Sequence, residues 1–139
     1  MLEISQFLPY QLVHLANKVS DDFAKVYISE ANLTSPQWRI MAHLAQNQFS
    51  AKQLCDLARI DKSTMSRAIK QLEERGVIKL KQDEGDKRSK VLNLTDEGLS
   101  IYKRISILAK EWETELLSEL TQEEQVLFRS VLEKLNARI

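Results

Sequence analysis

Ser50-Ala51-Lys52-Gln53-Leu54-Cys55-Asp56-Leu57-Ala58-Arg59-Ile60-Asp61-Lys62-Ser63-Thr64-Met65-Ser66-Arg67-Ala68-Ile69-Lys70-Gln71-Leu72-Glu73-Glu74-Arg75-Gly76 is the stretch that decides the fold. Ser50 and Gln53 have capping-box spacing, the hydroxyl accepting from the third amide while Gln53 reaches back, and Leu54, Leu57 and Ala58 then give a short helix its buried face. Only Ile60-Asp61 intervenes before the apolar pattern restarts. Asp61 or Ser63 caps a second helix whose Met65, Ala68, Ile69 and Leu72 face inward, and Gly76 lies just past its end as a left-handed terminator. Two short helices joined by so tight a turn are a helix-turn-helix.

The flanks extend this reading. Downstream, Val77–Lys81 and Lys90–Leu94 are two β-prone runs on either side of the polar stretch Gln82–Ser89, a hairpin with a charged tip. Upstream, Thr34-Ser35-Pro36-Gln37 opens a helix with Trp38, Met41 and Leu44 inward. Before it, Leu8, Leu12, Leu15, Val19, Phe23 and Val26 fall on one stripe of a long first helix ending near Glu30. After the hairpin, Thr95 caps a long helix carrying Leu99, Tyr102, Ile105, Ala109, Trp112 and Leu116. Thr121 and Glu124 form another capping box ahead of Val126, Phe128, Val131, Leu132 and Leu135. The fold class is therefore mainly α with a small β-hairpin wing. The terminal helices carry more apolar stripe than the centre covers, which points to a helical dimer interface.

Composition narrows the function. The 139 residues suffice for one compact unit, and 3 Gly with 2 Pro favour long helices over many turns. Formal net charge is zero, yet from Arg59 to Lys90 ten basic residues stand against six acids, so that segment is +4 and the remainder −4. A basic middle on an acidic scaffold is the distribution of a module that offsets phosphate charge on one face. Cys55 is the single cysteine and fits a reducing cytoplasm, read as a small buried residue rather than a redox centre. His14 and His43 make no metal-ligand cluster with it, so neither metal nor cofactor is expected. No Ser/His/Asp order, paired carboxylates or Gly-rich phosphate loop points to an enzyme. The start of the chain, with Glu3, Pro9 and His14, has neither a basic leader nor a long apolar run, so a cytoplasmic protein without a membrane segment is expected.

The second helix of the motif offers Lys62, Ser63, Thr64, Ser66, Arg67 and Lys70 away from its apolar stripe. Short hydroxyls approach base edges or phosphates closely, Arg67 suits bidentate bonding to guanine, and lysines hold phosphates, so this face is the candidate reader of a major groove. At the hairpin tip, Arg88 suits a narrow minor groove, with Asp86 orienting its guanidinium and Lys87 and Lys90 adding charge. The alternative is a winged-helix adapter whose basic face binds an acidic protein and has no specific DNA site.

Leu33-Thr34 with Gln37-Trp38, Leu54, Leu57-Ala58, Ile60 through Arg67, Leu72-Glu73 and Gly76-Val77-Ile78 together resemble the MarR family of transcription regulators. Asp86-Lys87-Arg88 is similar to that family's wing-tip Asp-x-Arg, and Leu94-Thr95-Asp96-Glu97-Gly98 to its junction into the long fifth helix. The resemblance implies one domain over 1–139, a winged helix-turn-helix over 33–95 with N- and C-terminal dimerisation helices over 1–32 and 96–139. It further implies a homodimer on double-stranded DNA with a pseudopalindromic operator. The same resemblance implies a recognition helix at Lys62 to Arg75 in the major groove and a wing around Asp86 to Lys90 in the minor groove. The family usually represses, and releases DNA when a small aromatic or phenolic effector binds between the dimerisation and DNA-binding parts.

Overall fold

The computed structural model describes residues 1–86 and 88–139. A 3₁₀ turn at Ile4–Gln6 precedes α1 (Leu8–Ala31), α2 (Ser35–Leu44), α3 (Ala51–Ala58), α4 (Lys62–Glu74), β1 (Ile78–Gln82), β2 (Lys90–Leu94), α5 (Asp96–Leu117) and α6 (Gln122–Arg138). The backbone forms two compact units, Met1–Ser106 and Ile107–Ile139, with the division inside α5. This is the mainly helical, hairpin-winged fold expected from the sequence.

Local chemistry starts the helices where the caps predict. Thr34 and Ser50 each accept from the amide three residues on (3.3 and 3.2 Å), while Gln37 and Gln53 return the bond to the cap's own N–H. Of the two candidates for α4 the cap is Asp61, and Ser63 donates to it. Gly76, with φ 80°, ends that helix in the left-handed region.

In the first unit, Ile40, Met41, Leu44, Leu54, Ala58, Met65, Ala68, Ile69, Leu72, Val77, Ile78 and Leu92 form one core beneath the helix-turn-helix and wing. β1 and β2 pair antiparallel with Ile78 opposite Leu94 and Leu80 opposite Leu92, and Phe49 bridges to Leu92 on the far side of β2. At the α1, α2 and α5 side, Trp38 stacks between Tyr27 and Tyr102, both centroids 5.8 Å away, and Phe23 meets Tyr27 and Trp38 edge-on.

Several inward assignments change. Leu57 is half exposed, because α3 has only two turns and its buried line runs through Leu54 and Ala58. Leu99 and Leu116 are also exposed, whereas Ile101 joins Gly98 and the expected Ile105 as the buried residues of α5. On α1 burial is confined to the last turns, at Tyr27 and Ala31, while Leu8, Leu12 and Leu15 stay exposed.

In the second unit, Glu113 pairs with Arg129 at 3.3 Å, and Gln125 donates to the carbonyls of Leu117 (2.9 Å) and Leu120 (3.3 Å). The two Gln125 bonds supply partners for carbonyls around the turn between α5 and α6. Thr121 and Glu124 close the capping box of α6, which holds the Glu124 carboxyl below its ordinary pKa, chiefly through the backbone N–H of Thr121.

Candidate nucleic-acid interface

Met65, Ala68, Ile69 and Leu72 of α4 are buried, which turns the opposite side outward. Lys62, Ser63, Ser66, Arg67 and Lys70 are all exposed there, and Thr64 is half-buried at its edge. The interface thus gathers six of the residues expected to read DNA on a single helix.

The hydroxyls are not equivalent. Ser63 donates its proton to Asp61 Oδ1 (2.8 Å) and Thr64 donates to Asp61 Oδ2 (2.7 Å). With those protons engaged, Ser63 and Thr64 are left as acceptors toward a base or amine. Among the described residues Ser66 makes no such bond and keeps both roles.

The same bonds act on Asp61. The backbone N–H of Thr64, then the Thr64 and Ser63 hydroxyls, stabilise its carboxylate and lower its pKa from 3.8 to about 2. A carboxyl whose pKa is depressed on folding contributes stability that is present above 3.8 and is lost as pH falls through the folded value. Asp61→Ala is therefore expected to lower the unfolding midpoint at pH 7, with the gap from wild type narrowing as pH drops from about 4 to 2. Thermal melts across that range check this. A gap independent of pH would mean that the charge of Asp61 contributes nothing.

Two contacts hold the C-terminal half of α4 and have no signal in local sequence. Gln37, the buried polar residue of α2, donates to Gln71 Oε1 at 2.9 Å. Arg75 donates to the carbonyl of Ala31 and, at 3.5 Å, to that of Asn32, where α1 ends. The recognition surface is thus tied to α1 and α2 by polar bonds as well as by packing.

A third tie runs through the wing base. Thr95 donates its hydroxyl to the Gly76 carbonyl (2.7 Å), its N–H to the Val77 carbonyl (3.1 Å), and accepts from the N–H of Gly98 (3.1 Å). One threonine thereby joins the end of α4 to the start of α5.

At the hairpin tip, Asp86, Arg88 and Lys90 are exposed. Asp86 acts within the turn: its carboxylate accepts from the backbone N–H of Arg88 (3.0 Å) and from the side-chain hydroxyl of Ser89 (3.2 Å). Among the described residues it makes no ion pair with the Arg88 guanidinium, which is left free. Asp83 N–H donates to the Ser89 carbonyl at 3.0 Å and closes the hairpin below. Lys87, also expected in this set, lies outside the described residues.

A helix-turn-helix with an exposed basic second helix, followed by a hairpin wing, defines the winged helix-turn-helix class of DNA-binding proteins. The MarR family model matches residues 31–89, from the end of α1 through the wing tip. The transcriptional regulator HosA of Escherichia coli O111:H- is 30% identical over 105 residues, 75% of this chain and 78% of that protein. A MarR/EmrR family transcriptional regulator from Acinetobacter sp. ADP1 superposes with a TM-score of 0.85 at 30% identity, covering 99% of this chain and 97% of that one. BpsR of Bordetella bronchiseptica, whose DNA binding is regulated by 6-hydroxynicotinic acid, shares the fold with a TM-score of 0.83 at 20% identity, over 98% and 97% of the two chains. The chain belongs to the MarR family of transcription regulators.

Proposed function

We propose that the protein is a homodimeric repressor that binds a pseudopalindromic operator and is released by a small aromatic or phenolic effector. The observation that carries the DNA-reading part is the outward face of α4, where Arg67, Ser66 and Lys70 are exposed on a helix whose other side is fully buried. In this reading Lys62, Ser63, Thr64, Ser66, Arg67 and Lys70 enter the major groove, and Asp86, Lys87, Arg88 and Lys90 form the minor-groove wing. Residues 33–95 are the DNA-binding part, and 1–32 with 96–139 the dimerisation part.

Dimerisation is supported by apolar surface that the single chain leaves in water. Leu8, Leu12 and Leu15 on α1, and Val126, Phe128 and Val131 on α6, are each more than two-fifths exposed, which soluble monomers rarely tolerate as contiguous faces. Release by an aromatic effector is supported by the behaviour of BpsR. No helix among the described residues is long and apolar enough to cross a membrane.

Selection of genomic fragments with the purified protein, then footprinting at near-physiological salt, tests the reading. The expected result is a two-fold symmetric footprint with half-sites centred about 34 Å apart, one helical turn. Binding is expected to weaken steeply with salt, by roughly 0.9 logarithmic units of affinity per phosphate contact per logarithmic unit of salt. Recovery of no preferred sequence would count against it and turn attention to acidic protein partners.

A further inference from the structure

We infer that Arg59, in the turn of the helix-turn-helix, is a phosphate-contacting residue that secures the DNA backbone beside the recognition helix. The inference rests on the DNA-binding reading above and adds a contact outside α4 and the wing.

The backbone supplies the first observation. Arg59 has φ 53° and ψ 50°, the left-handed conformation, as the residue that ends α3. Its N–H and that of Ile60 both turn back to the Cys55 carbonyl. This geometry disfavours residues that carry a Cβ and costs glycine nothing, which is why helix-turn-helix turns often contain glycine. The other non-glycine residue in this region is Asn32, whose short amide side chain tolerates the conformation well. A long cation at Arg59 has no such local reason, and a sparsely populated backbone state kept against a better-suited residue calls for a functional explanation.

The second observation is the state of the guanidinium. Arg59 is exposed and, among the described residues, makes no ion pair or side-chain hydrogen bond. Of the carboxylates nearest in sequence, Asp61 is occupied by Ser63 and Thr64, and Asp56 forms no ion pair with Arg59 among the described residues. A free, planar, five-donor cation is suited to a phosphate.

Place supplies the third. In this motif the recognition helix enters the groove by its N-terminal residues while the preceding helix crosses the backbone. The turn joining them is carried to the groove's rim, where the phosphates run. Ile60, buried beside Arg59, anchors that turn on the core, so the cation is held on a fixed support.

Arg59→Gly separates a binding role from a structural one, because the two predict opposite signs. The variant is expected to melt no lower than wild type, since glycine relieves the left-handed backbone. Its affinity for the footprinted operator is expected to fall about three- to tenfold. The slope of log affinity against log salt should become shallower by about one per lost contact. Nonspecific DNA should weaken in parallel, as fits a phosphate contact, and Arg59→Lys should recover most of both affinity and slope. An Arg59→Gly protein with wild-type affinity and slope on an operator that wild type footprints would overturn the inference while leaving the regulator reading intact. If wild type footprints nothing, both fall together.

Discussion

Gly98→Ala is expected to lower the unfolding midpoint by about 10 °C or more when compared with wild type at the same protein concentration. A Cβ at Gly98 would stand 2.1 Å from the Val77 carbonyl oxygen and 3.0 Å from its carbon, with Leu94 Cδ2 at 3.3 Å. The first two are backbone atoms, which cannot swing aside as a side-chain end can. Overpacking of this kind costs about 1 to 3 kcal/mol, and a clash against main chain belongs at the upper end. For a chain of this size each kcal/mol moves the midpoint by roughly 3 to 5 °C. Relief requires moving the segment between α4 and β1, which also disturbs the Thr95 bonds to Gly76 and Val77. Gly85→Ala is the matched comparison, since the nearest atom to its Cβ would be Asp83 Oδ1 at 3.8 Å, an ordinary contact. Thermal or urea unfolding of the two variants decides the matter: a Gly98→Ala midpoint within about 2 °C of wild type would show that α5 shifts freely against the Val77 segment ahead of β1.

Arg67→Ala is expected to cost about 1 to 3 kcal/mol of operator affinity per half-site, hence about 2 to 6 kcal/mol for a dimer, from roughly thirtyfold upward. Arg67 is exposed at the centre of the α4 face and makes no ion pair among the described residues, so its loss leaves no buried partner unsatisfied and stability should hold. The loss should be concentrated at one base pair per half-site, where the variant ceases to discriminate, whereas removal of a lysine proposed to hold phosphate, such as Lys70, is expected to weaken all sequences alike. Equilibrium titrations against the operator and its single-base variants measure this. Full affinity in the variant would remove Arg67 from base readout.

Much of the fold was legible because the decisive signals are local. Thr34, Ser50, Asp61 and Thr121 each satisfy amides within three residues, so their helices begin where side-chain chemistry requires. Burial was less legible. A helical stripe gives the direction of an apolar face but not what covers it, which is why Leu57 and Leu99 read as inward and are exposed, while Ile40 and Ile101 went unremarked. The ties that orient α4 were invisible: Gln37 reaches Gln71 across 34 residues and Arg75 reaches Ala31 across 44. Gly98 carried a signal through the resemblance of its junction, yet its physical reason, the carbonyl of Val77, belongs to another element. The candidate DNA-contacting set on α4 was readable from amphipathicity; the engagement of Ser63 and Thr64 with Asp61 was not, since either residue 61 or 63 had the chemistry to cap.

The two-stranded wing has a consequence for the protein's solubility. β2 is flanked by β1 on one side and by Phe49 on the other, so β1 is left as the edge strand, with backbone groups open to any strand that approaches. A flat edge bearing Ile78 and Leu80 alone would be a template for pairing between molecules. Lys79 and Lys81 alternate with them and are exposed, so a second wing drawing alongside would meet like charge at every other residue. The lysines that raise the positive charge of this segment therefore also guard it against self-aggregation, and a substitution that neutralised them would act on shelf life as much as on binding.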